Sequence, residues 1–220
     1  MGDLLPKILP LSLGAAMSPT SLAALLVVLA GRRPIARGAA YLVGWLTVLV
    51  GLSAIGLWGV RQTAPSPTTE TVGHVVDGIA GVLLLLLALG TVLMSALRGP
   101  AVATDEVPSA TDHRPGLGGA FLLGVAMMVT NLSTILLYLP AMHAISMAHV
   151  ARSDEVVAFA LAFLITSLPV TLPFVVRIAA PGPSSRAFER LHRFLTAHQR
   201  TIGIVVEVVF GVWLVVKALR

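Results

Sequence analysis

The chain has 220 residues; 56% are hydrophobic, only 11% are charged, the mean hydropathy is +0.92 and the formal net charge is +5. Soluble domains carry about 25% charged residues and leave much of their surface in water, so this composition excludes a water-soluble domain and makes lipid the solvent for most of the chain. No cysteine is present, which excludes disulfides, thiolate metal sites and dithiol redox chemistry, and the basic charge belongs to arginines in short loops rather than to a nucleic-acid partner.

A membrane span needs about 20 mostly apolar residues, and six segments reach that length. The first covers Ile8 to Ala30. Its apolar run is long, Asp3 accompanies Lys7 ahead of it, and another span follows at once, so it is not read as a signal peptide. Midway it carries Ser18-Pro19-Thr20-Ser21. Pro19 removes a backbone donor and obstructs the carbonyl of Ala15, so the helix is expected to kink or open there. The second segment covers Ala39 to Val60 and the third Val75 to Leu97. His74 and Asp77, three apart at the start of the third, share a helical face and read either as an exit-side pair or as an interfacial hydrogen bond.

The fourth segment, Gly116 to Met142, holds a second polar cluster in mid-span, Thr130-Asn131-Leu132-Ser133-Thr134. His143 and His149 near its end have no carboxylates at ligand spacing, so no metal site is expected. The fifth covers Val156 to Ala179, where Pro169 and Pro173 are expected to kink the helix, as a gate or as a packing feature. Between the fifth and sixth segments, Phe188, Leu191 and Leu195 recur at helical spacing while Arg186, Arg190 and Arg193 cluster elsewhere. Residues 184–200 therefore read as an amphipathic helix lying on the membrane surface, with Ser184 or Ser185 as its cap. The sixth segment, Thr201 to Leu219, contains Glu207 among Val205, Val206, Val208 and Val209. A carboxylate within the bilayer costs roughly 2.5–3.5 kcal/mol on insertion scales, so Glu207 is expected to face the bundle or a cavity. It is the candidate for proton coupling; a structural carboxyl bonded to a neighbouring helix is the alternative.

Segments one and four share a pattern. Gly14-Ala-Ala-Met17 precedes one polar cluster and Gly124-Val-Ala-Met127 the other, with three extra residues in the second copy. An odd number of spans separates them, so they run in opposite directions. The expected fold is all-α, six transmembrane helices arranged as an inverted 3+3 repeat, a plan used by transporters with broken helices at the midplane. The chain then forms one membrane domain: repeat 1 over residues 1–98, a cytoplasmic linker over 99–115, and repeat 2 over 116–220. Freed backbone groups in lipid are costly unless buried or facing a wet cavity. Ser18, Pro19, Thr20, Ser21, Thr130, Asn131, Ser133 and Thr134 are accordingly candidates to line a substrate pathway. Hydroxyl residues also serve simply to join helices, and that reading stays open.

The run Gly14-Ala-Ala-Met-Ser-Pro-Thr-Ser-Leu-Ala-Ala-Leu-Leu-Val-Val-Leu-Ala-Gly-Arg-Arg-Pro34, followed by Ala40-Tyr-Leu-Val-Gly-Trp45, resembles the peptidoglycolipid-addressing (GAP, or Sap) family of the LysE exporter superfamily. Length and helix layout agree along the whole chain. The superfamily often shows Asn-Pro in segment four, whereas Leu132 follows Asn131 here. The resemblance implies a LysE-like secondary transporter that exports cell-envelope glycolipid or places it at the surface. An exporter of amino acids or other small solutes, and a non-transporting assembly factor for envelope-lipid machinery, are the alternatives.

Ten basic residues (Arg32, Arg33, Arg37, Arg98, Arg114, Arg177, Arg186, Arg190, Arg193 and Arg200) fall on the side of loops one, three and five, against Lys7, Arg61, Arg152, Lys217 and Arg220 opposite. This places the odd loops in the cytoplasm and both termini outside, in the cell membrane. There is no Gly-x-Ser-x-Gly, no phosphate-cradling loop and no HExxH, so an enzyme is not expected and no cofactor is implied. The expected partners are membrane lipid, a glycolipid or small-solute substrate, envelope-lipid biosynthesis or export machinery, and further copies of the chain in a homo-oligomer.

Overall fold

Proline is a helix starter as much as a breaker, because its fixed φ and missing N–H suit the first turn. Four of the eight helices found among the described residues begin on one. The helices are α1 (Leu5–Ala16), α2 (Pro19–Ala30), α3 (Pro34–Arg61), α4 (Pro67–Arg98), α5 (Leu117–Val129), α6 (Leu132–Ser146), α7 (Arg152–Ala179) and α8 (Pro181–Ala218). The computed structural model describes residues 2, 4–31, 33–61, 67–98, 116–148 and 150–219. His149, the linker 99–115, and the side chains of His74, Ser184 and Ser185 lie outside the described residues. No strand occurs among the described residues.

Among the described residues, four helices are long and apolar enough to cross a membrane: Pro34–Leu57, Val75–Leu93, Arg152–Ala179 and Phe188–Ala218. Two further spans are made of bent pairs, α1 with α2 at 49° and α5 with α6 at 69°. The chain is thus a multi-pass, all-helical membrane protein with four to six spans, according to whether each bent pair counts as one.

Several boundaries differ from those read in the sequence. Segment one opens at Pro19 as expected, and segment four is also two helices rather than one continuous run. The α4 helix starts at Pro67, eight residues before Val75, because Pro67 opens a first turn instead of closing a loop. Residues 184–200 are helical as expected, but they do not form a separate element. The α8 helix continues unbroken from Pro181 to Ala218, since nothing between Gln199 and Gly203 stops a helix. Its 38 residues extend about 57 Å, well beyond a hydrocarbon core about 30 Å thick. Glu207 consequently lies well inside this helix, far from either of its ends. The α7 helix likewise continues through Pro169 and Pro173.

The α1, α2 and α6 helices carry buried residues along much of their length, whereas α5 packs chiefly against α3 and exposes Leu117, Leu122 and Val129. The α6 helix packs against α1, α3, α4 and α7, and α1 also packs against α7. Ile8, Leu11 and Ala15 of α1 and Leu137, Tyr138, Ala141 and Met142 of α6 are buried. The long helices form the outside and present Val43, Ile79, Leu86, Leu164, Leu168 and Val209 outward, as lipid-facing surfaces require. Two crossings are close. Gly44 of α3 and Gly124 of α5 face each other's helices, and a Cβ at either would collide with a backbone carbonyl, Phe121 O or Tyr41 O. Gly81 and Gly211 play the same part between α4 and α8. Small residues that admit close backbone approach are the usual basis of helix pairing in lipid, where burial of apolar surface gives no advantage.

Candidate functional site

The site begins with the two interruptions. The α1 helix ends two residues beyond Gly14 and α5 ends five residues beyond Gly124, so the three extra residues of the second copy extend a helix before the chain breaks. In the first interruption Met17 and Ser18 leave the helix, and Pro19 starts α2. Ser18 is extended, with φ −108° and ψ 93°. In the second, Asn131 does locally what proline does in the first. It is the N-cap of α6, its Oδ1 accepting from Thr134 N at 3.3 Å. The helix breaks at Asn131 although Leu132, not proline, follows it.

The two interruptions meet. Asn131 Nδ2 donates to Ser18 Oγ at 2.6 Å and to Ser21 Oγ at 3.4 Å, and Ser18 Oγ donates to Ser21 Oγ at 3.2 Å. Both ends of the Asn131 amide are therefore in use, one closing its own helix and the other holding the opposite break. A second link is more deeply buried. Thr134 Oγ1 donates to the carbonyl of Ala15 at 2.9 Å. Ala15 is four residues before Pro19, so its carbonyl is the acceptor left over by the missing proline N–H. Two further donors reach the same region: Tyr41 Oη to Ser21 O at 2.8 Å and Thr166 Oγ1 to Ser12 O at 3.4 Å. All of these except Ser18 and Asn131 are buried.

Glu207 joins this group from α8. Ser133 Oγ, in the first turn of α6, donates to Glu207 Oε1 at 2.7 Å. Glu207 Oε2 is out of contact with solvent and has no hydrogen-bond partner among the described residues. The flanking Val205, Val208 and Val209 are exposed, so the carboxyl points inward while its neighbours face lipid, as insertion cost demands. One turn on, Phe210 lies over Gly14, where a Cβ would sit within 2.9 Å of three ring atoms. The carboxylate side of α8 is thus in direct contact with the helix that leads into the first break.

The predicted pathway residues fall into two groups. Ser18, Ser21, Asn131, Ser133 and Thr134 come together, and Pro19 sets the break between them. Thr20 and Thr130 stay at the periphery; both are exposed, and Thr130 only bonds back to Ala126 O at 2.7 Å. Asp77 does have a partner, and it is Lys217 of α8, Nζ to Oδ2 at 2.6 Å. That ammonium also lies 5.7 Å from the ring centre of Trp213. Tyr41 and Thr166 were not singled out in the sequence. Their signal is generic: a phenol or hydroxyl inside an apolar helix needs a partner. No group of three or more potential metal ligands occurs among the described residues.

No curated protein and no solved structure shows significant similarity to the chain. A sequence model of one family does, that of Sap, sulfolipid-1-addressing protein, and it matches residues 8–220. That range contains both breaks, Glu207 and every helix from α2 to α8, and the chain belongs to the Sap, sulfolipid-1-addressing protein, family.

Proposed function

We propose that the protein is a LysE-type secondary transporter that moves an envelope lipid, of the sulfated glycolipid class its family name points to, out across the cell membrane. The observation that carries this reading is the direct contact between two mid-span breaks, Asn131 to Ser18. Broken helices that join near the bilayer centre are where transporters hold substrate, because unwound backbone is tolerated only where protein or a wet path surrounds it. The order of elements supports an inverted 3+3 repeat: each half starts with a bent pair and continues with two long helices. Under that plan the N- and C-termini both lie outside, the odd loops are cytoplasmic, and Glu207 is the group that exchanges a proton as the breaks open and close. Pro169 and Pro173 of α7, beside the α1 half-helix, are the gate candidates.

The test is lipid profiling of a deletion strain carrying variants expressed to equal levels. Asn131→Ala is expected to lower surface-extractable glycolipid about tenfold, equivalent to about 1.4 kcal/mol, with total glycolipid unchanged. A chain that acts only by docking other machinery would retain full surface placement with Asn131→Ala. A small-solute exporter would leave the lipid profile unchanged even on deletion.

A further inference from the structure

The α4 and α8 helices carry similar residues at the same spacing. Gly73-His-Val-Val-Asp77-Gly-Ile-Ala-Gly81-Val-Leu-Leu84 in α4 matches Gly203-Ile-Val-Val-Glu207-Val-Val-Phe-Gly211-Val-Trp-Leu214 in α8. The likeness extends to their surroundings: Ile79 and Val209 face outward, as do Leu86 and Val216, while Leu84 and Leu214 are buried. The two helices run antiparallel, with Gly78 against Ala218 at one end and Arg200 bonded to Thr91 O toward the other. Where they cross, the contact is reciprocal. A Cβ on Gly81 would lie 2.9 Å from Gly211 O and 2.9 Å from Val215 N, and one on Gly211 would lie 3.1 Å from Gly81 O and 2.9 Å from Leu85 Cγ. Val215 and Leu85 each follow their own glycine by four residues, so each helix meets the other as the other meets it. A two-fold relation between the helices requires a contact of that kind.

Asp77 and Glu207 are therefore equivalent positions, each four residues before a crossing glycine and about 6 Å from it along the helix, on opposite sides of the crossing. Their partners are not equivalent. Asp77 is buried and held by Lys217 Nζ at 2.6 Å. Lys217 comes ten residues after Glu207, and the residue ten after Asp77 is Leu87. Glu207 thus has a leucine in the place where Asp77 has an ammonium. One of its oxygens accepts from Ser133, and the other, Oε2, is out of contact with solvent with no hydrogen-bond partner among the described residues. His143 of α6 lies near enough to Asp77 and Lys217 for both charges to act on it. Around Glu207 the other ionisable groups of the packed helices stand at helix ends: Lys7 at the start of α1, Arg152, Asp154 and Glu155 at the start of α7, and Arg177 at its end, while α2 has none. A carboxyl group inside the bilayer is accommodated by a counter-charge or by a proton. The first carboxyl has the counter-charge built in; the second does not.

We propose that Lys217 and Leu87 decide which of two equivalent carboxyl groups exchanges a proton: the Lys217 ammonium takes the place of the proton beside Asp77, and Leu87 leaves Glu207 Oε2 free to bind and release one. Uptake from water as the breaks open converts the Glu207 carboxylate to a carboxylic acid with its O–H on Oε2; release restores the carboxylate. Oε1 keeps its bond from Ser133 in both forms, and no other group changes charge. The proton's part in the cycle rests on the transport reading above, whereas the correspondence between the two carboxyl groups is testable separately.

Leu87→Lys in the full-length protein sets an ammonium beside Glu207 as Lys217 is set beside Asp77. It should give folded protein in mild detergent at the wild-type yield. Leu87→Lys combined with Glu207→Gln should give about tenfold less, because the lysine is then buried without its partner, while Glu207→Gln alone should change the yield little. If Leu87→Lys does not fold, Leu87→Arg, with its longer reach, repeats the comparison. The proposal is overturned if Glu207→Gln costs no more with a basic residue at 87 than with leucine, or if neither basic residue is accommodated. The second measurement is the steepness with which surface-extractable glycolipid responds to external pH. One exchanging carboxyl gives a slope of about one; Lys217→Met should raise it toward about two by freeing Asp77, and adding Asp77→Asn should return it to about one. A slope that stays at about one in folded Lys217→Met protein also overturns the proposal. Failure of either comparison while Asn131→Ala still blocks surface placement removes this assignment alone. Normal surface placement with Asn131→Ala, beside the expected yields, removes the transport reading and leaves Lys217 and Leu87 as the residues that set the charge at the two positions.

Discussion

At the scale of single residues, the site is an exercise in satisfying groups that the chain itself has left without partners. Pro19 costs the Ala15 carbonyl its helical donor, and Thr134, 119 residues later, supplies another at 2.9 Å. Thr134→Val, which keeps the shape and removes the hydroxyl, is therefore expected to destabilise the protein by about 1–2 kcal/mol. Thr134→Ser should recover most of that. Thermal unfolding of the purified protein in detergent measures both, and a Thr134→Val protein as stable as wild type would mean that the Ala15 carbonyl finds another donor. Glu207 is different in kind. One of its oxygens is bonded and the other is not, so the protonated or amide form can occupy the same space. Glu207→Gln should fold and insert normally, and surface placement should lose its dependence on external pH. Unchanged pH dependence would make Glu207 a packing group for Ser133.

Elements impose a second kind of constraint, because helices in lipid associate through fit rather than through hydrophobic burial. The α3–α5 crossing shows this best. Gly44 and Gly124 each face a backbone carbonyl of the other helix, with no room for a methyl group. Gly124→Ala should force the pair apart and cost about 1–3 kcal/mol or more; the yield of folded protein after extraction in mild detergent reports it. Gly51 and Gly90, which have nothing within 4 Å of an added Cβ, serve as controls, and Gly→Ala at either should leave the yield unchanged or raise it. The crossing also bears on the site. Tyr41, whose hydroxyl holds Ser21 O, is one turn from Gly44 on α3, so displacement of α3 loosens the second half-helix of the first break. A loss of surface glycolipid in Gly124→Ala protein that still folds would be the functional sign of that link.

The whole molecule sets the half-helices α1, α2 and α6 among four long helices, while α5 packs chiefly on α3. The Asp77–Lys217 ion pair fastens α4 to α8 near the C-terminal end of α8, and the Arg200 guanidinium donates to Thr91 O at 3.3 Å further along the same pair. Both ties join α4 to α8. The proposed orientation rests on the arginine distribution. Reporter fusions after Arg220 and within loop one should report opposite sides of the membrane, the former outside. A cytoplasmic C-terminus would overturn the orientation.

Composition and local chemistry were enough to indicate a membrane chain, its apolar segments and the positions of the polar clusters, because each depends on residues within a turn or two of one another. The break at Pro19 belongs to this class: a missing N–H acts on its own helix wherever that helix lies. The break at Asn131 was only half visible. An N-cap residue is recognisable in sequence, yet mid-span it stops a helix only when its spare amide donors have somewhere to go, and that place is Ser18 on another helix. The pairing of Asp77 with Lys217, the inward turn of Glu207 toward Ser133, and the use of Tyr41 and Thr166 were likewise settled by packing. The reason is physical. In water, an apolar stripe tells a helix which face to bury; in lipid every apolar face is equally well solvated, so hydropathy does not say which helices touch. That choice falls to glycine crossings and to polar groups more than a hundred residues apart, and only the folded bundle brings them together.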